Sequence, residues 1–300
     1  MTSPDFDVRL ATDADVPAVL AALSDGYGRM FTPEWFQWKH GESPWGASRC
    51  WVAEDEGGLL GVVFGLPWHL AADGQPVACS RLVDGATTVR AQRRGVFRAV
   101  VQAELAAAAA SQPAGLVIAT ATPEALAAHV KNGATALAPI RSFYRPAAWL
   151  PAAVRSSPEV LASWRPPATG LATAWAQDSL HWRLDARGGA VTTASQLMHA
   201  DAPHGVVHRT VGGATRTLVV SASWGSERDV RRLVRALAWQ AKAVAVLAPA
   251  GPGTRRVQPK LAVGRGQSLL CVWDQRVEPA ATVLAPSRWS LDGLDLEGVI

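Results

Sequence analysis

The chain has 300 residues, 49% of them apolar and 18% charged, so it carries enough apolar material for packed cores and no large disordered region is expected. A net charge of only +4 predicts no broad basic surface and argues against nucleic acid as the main partner. Three widely spaced cysteines, no uninterrupted apolar run of about 18 residues and no signal-peptide pattern predict a reduced protein of the cytoplasm, with no membrane partner and no metal site.

The first half of the sequence alternates between strand and helix patterns. Its predicted elements are a strand at 7–12, a helix at 13–28, an aromatic helical segment at 32–41, three strands within 49–89, a helix after residue 95, a strand at 115–121, a helix at 123–132 and a strand at 136–145. The turns at 56–58 and 72–75 are short and contain glycine, so the three strands are expected to form an antiparallel meander. This order of elements predicts a mixed α/β layer.

A proline-rich stretch separates the two halves of the chain. It contains Pro146, Pro151, Pro158, Pro166 and Pro167. Prolines interrupt regular structure, and domain boundaries fall in such stretches. The sequence therefore predicts one domain at 1–150 and a second at 151–300.

The second half echoes the first. The strand–helix–strand pattern of 85–119 recurs at 216–248, and "FQWKH" at 36–40 is similar to "LHWRL" at 180–184. These likenesses predict a tandem repeat whose copies have diverged. The helix of the second copy starts with "SER" after Gly225, which is typical of an ordinary capped helix.

Four arginines and one glycine cluster where a strand turns into the next helix, in "VRAQRRGVFRAV" at 89–100. The first four N–H groups of a helix have no internal partner, and the helix dipole makes this end electropositive. Gly95 has no Cβ to block the approach of a phosphate, and Arg93, Arg94 and Arg98 add positive charge. The pattern indicates a phosphate site; the alternative is an ordinary helix start whose arginines are solvated.

The segment "QRRGVFR" resembles the pyrophosphate loop of the GNAT superfamily of N-acetyltransferases, whose pattern is Gln/Arg-x-x-Gly-x-Gly/Ala. Gln92 and Gly95 match this pattern, whereas Phe97 stands where the family usually has a small residue. One GNAT branch has a "GVF" variant together with an upstream F-x-W-K-H segment, present here as Phe36, Trp38, Lys39 and His40. The resemblance covers residues 6 to 145 in the order of elements. It implies two GNAT-like acyl-CoA N-acyltransferase domains in tandem, the second degenerate and non-catalytic.

The resemblance also implies acetyl-CoA as the cosubstrate. In the family, backbone groups at the end of the fourth strand meet the pantetheine arm and the thioester, which corresponds here to Gly85, Ala86 and Thr87. The pyrophosphate would lie on backbone amides of Arg93, Arg94, Gly95, Val96, Phe97 and Arg98. Thr122 falls on a further position of the family's helix pattern and is assigned to the cofactor side.

Acyl transfer to an amine needs a base for the amine, an N–H donor for the oxyanion and an acid for the leaving thiolate. GNAT members often carry a tyrosine acid four residues before a glycine. That position holds His129, before Gly133, so the resemblance implies His129 as the acid; the alternative is an ordinary helical histidine. Asp84 lies three residues before Thr87 and is the candidate base; alternatively it anchors local backbone or pairs with Arg90.

Other residues have weaker claims on the acceptor side. Glu34 is a second candidate base, and the carboxylate of Ile300 is a third. The aromatic candidates for the acceptor pocket are Tyr27, Trp35, Trp38 and Trp68. The second domain is expected to close the acceptor site or to form a contact between copies, as in a homodimer.

The sequence thus predicts an N-acetyltransferase that moves an acetyl group from acetyl-CoA to a primary amine. Two other classes remain open. Phe97 and the absent tyrosine also suit a non-catalytic acyl-CoA-binding or regulatory protein. An aminoacyl-tRNA-dependent transferase would share the tandem fold, but it would need a basic groove that a net charge of +4 does not indicate.

Overall fold

The described part of the chain alternates strands and helices in the predicted order. The computed structural model describes residues 5–111, 115–164, 170–185, 187, 193–198, 203–212, 215–250, 263–275 and 289. Its elements are β1 Asp7–Leu10, α1 Val16–Tyr27, α2 Pro33–Phe36, β2 Arg49–Asp55, β3 Gly58–Ala72, β4 Gln75–Thr87, α3 Val96–Ala110, β5 Leu116–Ala121, α4 Pro123–Lys131, β6 Thr135–Pro146, β7 Val154–Ser156, β8 Leu171–Thr173, α5 Gln177–Arg183, β9 Thr193–Leu197, β10 Gly205–Val211, β11 Arg216–Trp224, α6 Glu227–Gln240, β12 Ala243–Ala250 and β13 Val263–Asp274. The mixed α/β class is confirmed.

These residues divide into two compact units. The first contains the described residues within Met1–Leu70, Val77–Ala136 and Cys271–Leu284; the second contains those within Ala71–Pro76, Leu137–Leu270 and Ala285–Ile300. The first unit therefore includes a stretch from near the end of the chain. No sequence pattern indicated that return.

The sheet of the first unit opens between two parallel strands. Its strands lie in the order β1-β2-β3-β4-β5; β2 is antiparallel to both β1 and β3, and β4 is parallel to β5. Parallel pairing joins Ser80 to Val117 and Arg81 to Ile118, and it includes no other pair of described residues. The carboxyl end of β4, up to Thr87, is therefore no longer paired with β5.

A buried carboxylate holds helix α3 against this sheet. Glu104 is fully buried, and its Oε2 accepts hydrogen bonds from Arg49 Nε at 3.0 Å and Trp51 Nε1 at 2.9 Å. Ser80 Oγ donates to Oε1 at 2.6 Å. A Cβ at Gly65 would collide with the carboxylate, so only glycine leaves room for it. Two strands, β2 and β4, thus hold α3 through hydrogen bonds, and with it the turn that precedes the helix.

The second unit contains another strand–helix–strand segment with parallel strands. Its strands lie in the order β6-β12-β11-β10-β9-β7, and β11 is parallel to β12, with α6 between them in the chain. The helix packs on an apolar cluster. Members of that cluster include Val206, Leu218, Val220, Val230, Leu233, Val234, Leu237 and Val246. The strand–helix–strand pattern predicted at 216–248 is confirmed.

The three cysteines are free thiols. Burial raises the pKa of Cys50 to about 12 and that of Cys271 to about 11. It raises the pKa of the buried Cys79 as well. Because a thiol reacts as its thiolate, all three side chains are unreactive near neutral pH.

Neither a membrane-spanning helix nor a metal site is present among the described residues. None of their helices is both long enough and apolar enough to cross a membrane. Within the same part of the chain, no group of three or more histidine, cysteine, aspartate or glutamate residues is arranged to hold a metal ion.

Candidate active site

Two left-handed residues hold open the turn before α3. Arg93 has a φ of +66°, and Gly95, the residue that precedes the helix, has a φ of +84°. This conformation is easy for glycine and uncommon for other residues. A Cβ on Gly95 would meet no atom within 4 Å. The space in front of the helix is therefore open.

Backbone N–H groups face this space without an acceptor. Among the hydrogen bonds of the described residues, none starts from the amides of Arg93, Gly95, Val96, Phe97 or Arg98. The amide of Arg94 differs, because it donates to Ala91 O at 3.3 Å. α3 also has no side-chain cap and no acidic residue in its first turn. Free amides at the positive end of a helix dipole bind phosphate well.

The arginine side chains around the turn have different surroundings. Arg90 and Arg94 bind Asp55, with Arg90 Nη1 at 2.9 Å and Arg94 Nη2 at 3.3 Å, and they hold the pKa of that carboxyl below its ordinary value. Arg93 and Arg98 are exposed, and neither pairs with a carboxylate in the described parts of the chain. The positive charge available to a ligand therefore belongs to Arg93 and Arg98.

Phe97 fills space that Gly85 leaves at the end of β4. A Cβ on Gly85 would approach Phe97 Cε2 to 3.0 Å. On the other side, Tyr27 Oη donates to the carbonyl of Gly85 at 3.4 Å, and a Cβ on Gly26 would lie 3.1 Å from the Cβ of Ala86. The space for the large Phe97 side chain is thus available because Gly85 of β4 has no side chain.

Asp84 is a left-handed residue within β4 and lies in a buried ion cluster. Its φ is +48°, and its Oδ2 lies 2.5 Å from Lys39 Nζ and 3.2 Å from His40 Nε2. Burial alone would raise the pKa of Asp84, but Lys39 and His40 outweigh it and hold the pKa well below its ordinary value. Asp84 is therefore an ionised carboxylate that pairs with Lys39 and His40, whereas Arg90 pairs with Asp55.

His129 lies on α4 between two aromatic rings. Its ring meets Phe97 edge to face at 5.6 Å between centroids and Trp273 at 5.4 Å. Burial lowers the pKa of His129 to about 4, and its Nδ1 has no hydrogen-bond partner among the described residues. The imidazole is therefore uncharged at neutral pH. Its role as a general acid stays a prediction, and this charge state does not favour it.

Thr122 caps helix α4. Its hydroxyl oxygen accepts a hydrogen bond from Ala125 N at 3.4 Å. Removing such a cap costs about 1 kcal/mol. Thr122 therefore has a structural role, and its contact with a cofactor stays a prediction.

The aromatic candidates for the acceptor pocket divide by exposure. Trp38 and Trp68 are 2% and 1% exposed and belong to the core, whereas Tyr27 is 48% exposed and Trp35 is half-buried. Only Tyr27 and Trp35 can therefore meet a ligand. Glu34 is exposed beside Trp35. Ile300 lies outside the described residues.

The structure brings Gly85, Phe97 and His129 together, which the sequence patterns indicated only as separate candidates. Phe97 links the two regions, since it contacts both the Gly85 position and His129. The roles of Lys39 and His40 as partners of Asp84 were missed, although both belong to the F-x-W-K-H segment. Trp273 was missed too, because nothing local to it indicates a contact with α4.

Comparison with known proteins agrees with this geometry. Residues 7–126 match a family model described as an acetyltransferase (GNAT) domain. The fold is mixed α/β, and the helix start at Gly95 is open to an anion. Over residues 7–126, less than half of its length, the chain is therefore similar to GNAT acetyltransferase domains. No curated protein matched the sequence.

Solved structures of low identity share the fold. A GCN5-related N-acetyltransferase from Anabaena variabilis has a TM-score of 0.71 at 12% identity, over 91% of this chain and 73% of that chain. One from Kribbella flavida has a TM-score of 0.65 at 17% identity, over 89% and 71%. The N-myristoyltransferase of Saccharomyces cerevisiae, solved with bound myristoyl-CoA, has a TM-score of 0.58 at 11% identity, over 100% and 90%. These likenesses extend beyond residues 7–126 and concern the fold alone.

Proposed function

We propose that the protein is an N-acetyltransferase that uses acetyl-CoA to acetylate a primary amine. The amine nitrogen forms a bond to the thioester carbon, the carbon–sulfur bond breaks, and the thiolate leaves and takes up the proton that the amine loses. One observation carries the proposal. The open turn at Arg93–Arg98 presents unpartnered amides at the carboxyl end of β4, where the strand has separated from β5.

The amides and exposed guanidinium groups of this turn suit a pyrophosphate. The groups at Gly85–Thr87 would then lie along the pantetheine arm, with a strand N–H as the donor to the oxyanion. Tyr27, half exposed at the Gly85 carbonyl, and the half-buried Trp35 would border the acceptor. The second unit, in which the start of α6 is capped by Ser226, would serve as a diverged, non-catalytic copy.

Gly95→Glu tests the cofactor site. The wild-type protein should be stabilised by acetyl-CoA, by about 2.7 kcal/mol at a concentration of one hundred times Kd. The variant should lose this stabilisation, because it places bulk and a negative charge where the phosphate lies. Thermal unfolding with and without acetyl-CoA measures the effect.

Gly74→Glu is the matched control. Gly74 is also an exposed glycine with positive φ, at +79°, and a Cβ there would also meet no atom within 4 Å. It lies in the β3–β4 turn, so the substitution adds the same charge and backbone strain elsewhere. It should leave the response to acetyl-CoA intact. An unchanged response in Gly95→Glu would refute the cofactor site.

A non-catalytic acyl-CoA-binding protein is the second candidate. The uncharged His129 and the ion-paired Asp84 favour it, since neither is in an ordinary state for proton transfer. Release of coenzyme A in the presence of a panel of amines separates the two functions. Stabilisation by acetyl-CoA with no turnover of any amine would select the binding protein.

A further inference from the structure

The backbone at Asp84 needs an external constraint. Asp84 has a left-handed φ of +48° within a strand. For a residue with a Cβ this conformation costs about 1–2 kcal/mol, and it persists where the surroundings fix it. The contacts that fix it are those of its carboxylate.

Two consecutive side chains hold that carboxylate. Lys39 and His40 lie in the widened π turn Gln37–Gly41 that follows α2, and they are 5% and 3% exposed. Both reach the same oxygen, Asp84 Oδ2. Widened turns of this kind are rare and occur often at functional sites. We call Lys39, His40 and Asp84 the carboxylate clamp.

The clamp is itself rigidly supported. His40 Nδ1 lies 2.9 Å from Ser48 Oγ, and the His40 ring stacks on Phe64 of β3 at 3.8 Å and 20°. Lys39 Nζ lies 5.3 Å from the centre of the Trp35 ring. The π turn is therefore tied to β3 through Phe64 on one side and to the half-buried Trp35 on the other.

The residues after Asp84 have little freedom to move independently. Gly85 lies between Tyr27 Oη and the Phe97 ring, and Ala86 lies against Gly26. A rotation at Asp84 would shift all of these contacts together. The clamp thus determines the direction in which Gly85–Thr87 present their backbone groups.

We infer that Lys39 and His40 are positioning residues for acyl transfer: by holding Asp84 they fix the backbone that presents Gly85–Thr87 to the thioester. The kinetic part of this inference rests on the proposed function. In this role Asp84 is also a positioning residue and does not take the proton of the amine. A misplacement of about 1 Å at a reacting centre can lower a rate by roughly 10²-fold.

Lys39→Met tests the clamp without reference to activity. The change removes the ammonium and keeps most of the side-chain volume. Amide hydrogen exchange at Gly85–Thr87 should rise at least tenfold in the apo protein. Lys131→Met, an exposed lysine of α4, is the matched control and should leave this exchange unchanged. Unchanged exchange in Lys39→Met would overturn the inference.

Kinetics then test the consequence for the reaction. Lys39→Met should lower kcat by about 10–100-fold, while Kd for acetyl-CoA stays within about threefold, because the phosphate turn is untouched. Faster exchange with an unchanged kcat would also overturn the positioning role. If wild-type protein turns over no amine, the proposed function fails, and the exchange experiment still decides the clamp.

The pH profile distinguishes positioning from base catalysis by Asp84. Among the residues that the structure describes, the charged and titratable groups that face Asp84 are Lys39 and His40. If Asp84 were the base, losing Lys39 would move the acidic limb of kcat/KM to higher pH, because the carboxylate would bind protons more readily. A positioning role predicts that kcat/KM falls by the same factor at every pH and that its acidic limb stays at the same pH. Asp84→Asn should then keep more activity than Asp84→Ala, since asparagine tolerates left-handed backbone.

Discussion

The segments β4–α3–β5 and β11–α6–β12 share an order of elements and differ at the start of the helix. α3 begins with an open glycine turn, unpartnered amides and no acidic residue. α6 begins with Ser226, whose Oγ accepts from Asp229 N at 3.1 Å, and it carries two acidic residues in its first turn. A Cβ at the preceding Gly225 would collide with His204.

This difference shows how few residues decide whether a helix start can hold an anion. Both helices have the same dipole. In the second unit a serine already satisfies an amide of the first turn, and Glu227 and Asp229 would repel a phosphate. In the first unit, the amides at the start of α3 have no acceptor and no acidic side chain lies in the first turn, so a ligand can bind there.

The largest expected difference between the two segments is in stability, because α3 and α6 are held in place by different contacts. α3 is held by the buried Glu104, whereas α6 packs on apolar side chains. Glu104→Ala should lower the free energy of unfolding by about 3–5 kcal/mol, because it leaves Arg49 without its partner. Urea unfolding measures this change. Glu159→Ala, at an exposed position, should stay within about 0.5 kcal/mol. A loss below about 1 kcal/mol for Glu104→Ala would contradict the anchoring.

The next effect compares one histidine from each unit, the buried His129 and the half-buried His208. Burial lowers the pKa of His129 and of His208 to about 4, against an ordinary value near 6.5. As pH falls from 6.5 to 4, the unfolded chain therefore binds protons first, and each histidine should remove up to about 3 kcal/mol of stability. His129→Phe and His208→Phe should each flatten the acid side of the stability curve, measured by urea unfolding at several pH values. If the stability of a variant falls with decreasing pH as steeply as that of the wild type, the imidazole it replaces is solvated.

The smallest effect concerns the cap of α6. Ser226→Ala should cost about 1 kcal/mol and should not create a second cofactor site, because Glu227 and Asp229 remain. Calorimetry should find one acetyl-CoA site per chain in both the wild type and the variant. Two equivalent sites in the wild type would break the comparison between the units.

Local patterns predicted most of the fold and the position of the turn. The helix start at Gly95 could be read from sequence because glycine, strand and helix signals are adjacent there. The partners of Asp84 could not, since Lys39 and His40 are distant in the chain and only the fold brings them to one oxygen. Trp273 beside His129 is a similar case. A periodic pattern states which face is buried and does not state what lies against it.

Desolvation of the three cysteines has a practical consequence for measuring turnover. Coenzyme A released by acyl transfer carries a thiol that is accessible to solvent, so no burial raises its pKa. The protein's own thiols have pKa values raised by burial and form almost no thiolate at the same pH. A colorimetric disulfide reagent added during the reaction should therefore report product in real time over a low protein background. The same chemistry should leave the enzyme unmodified while the assay runs.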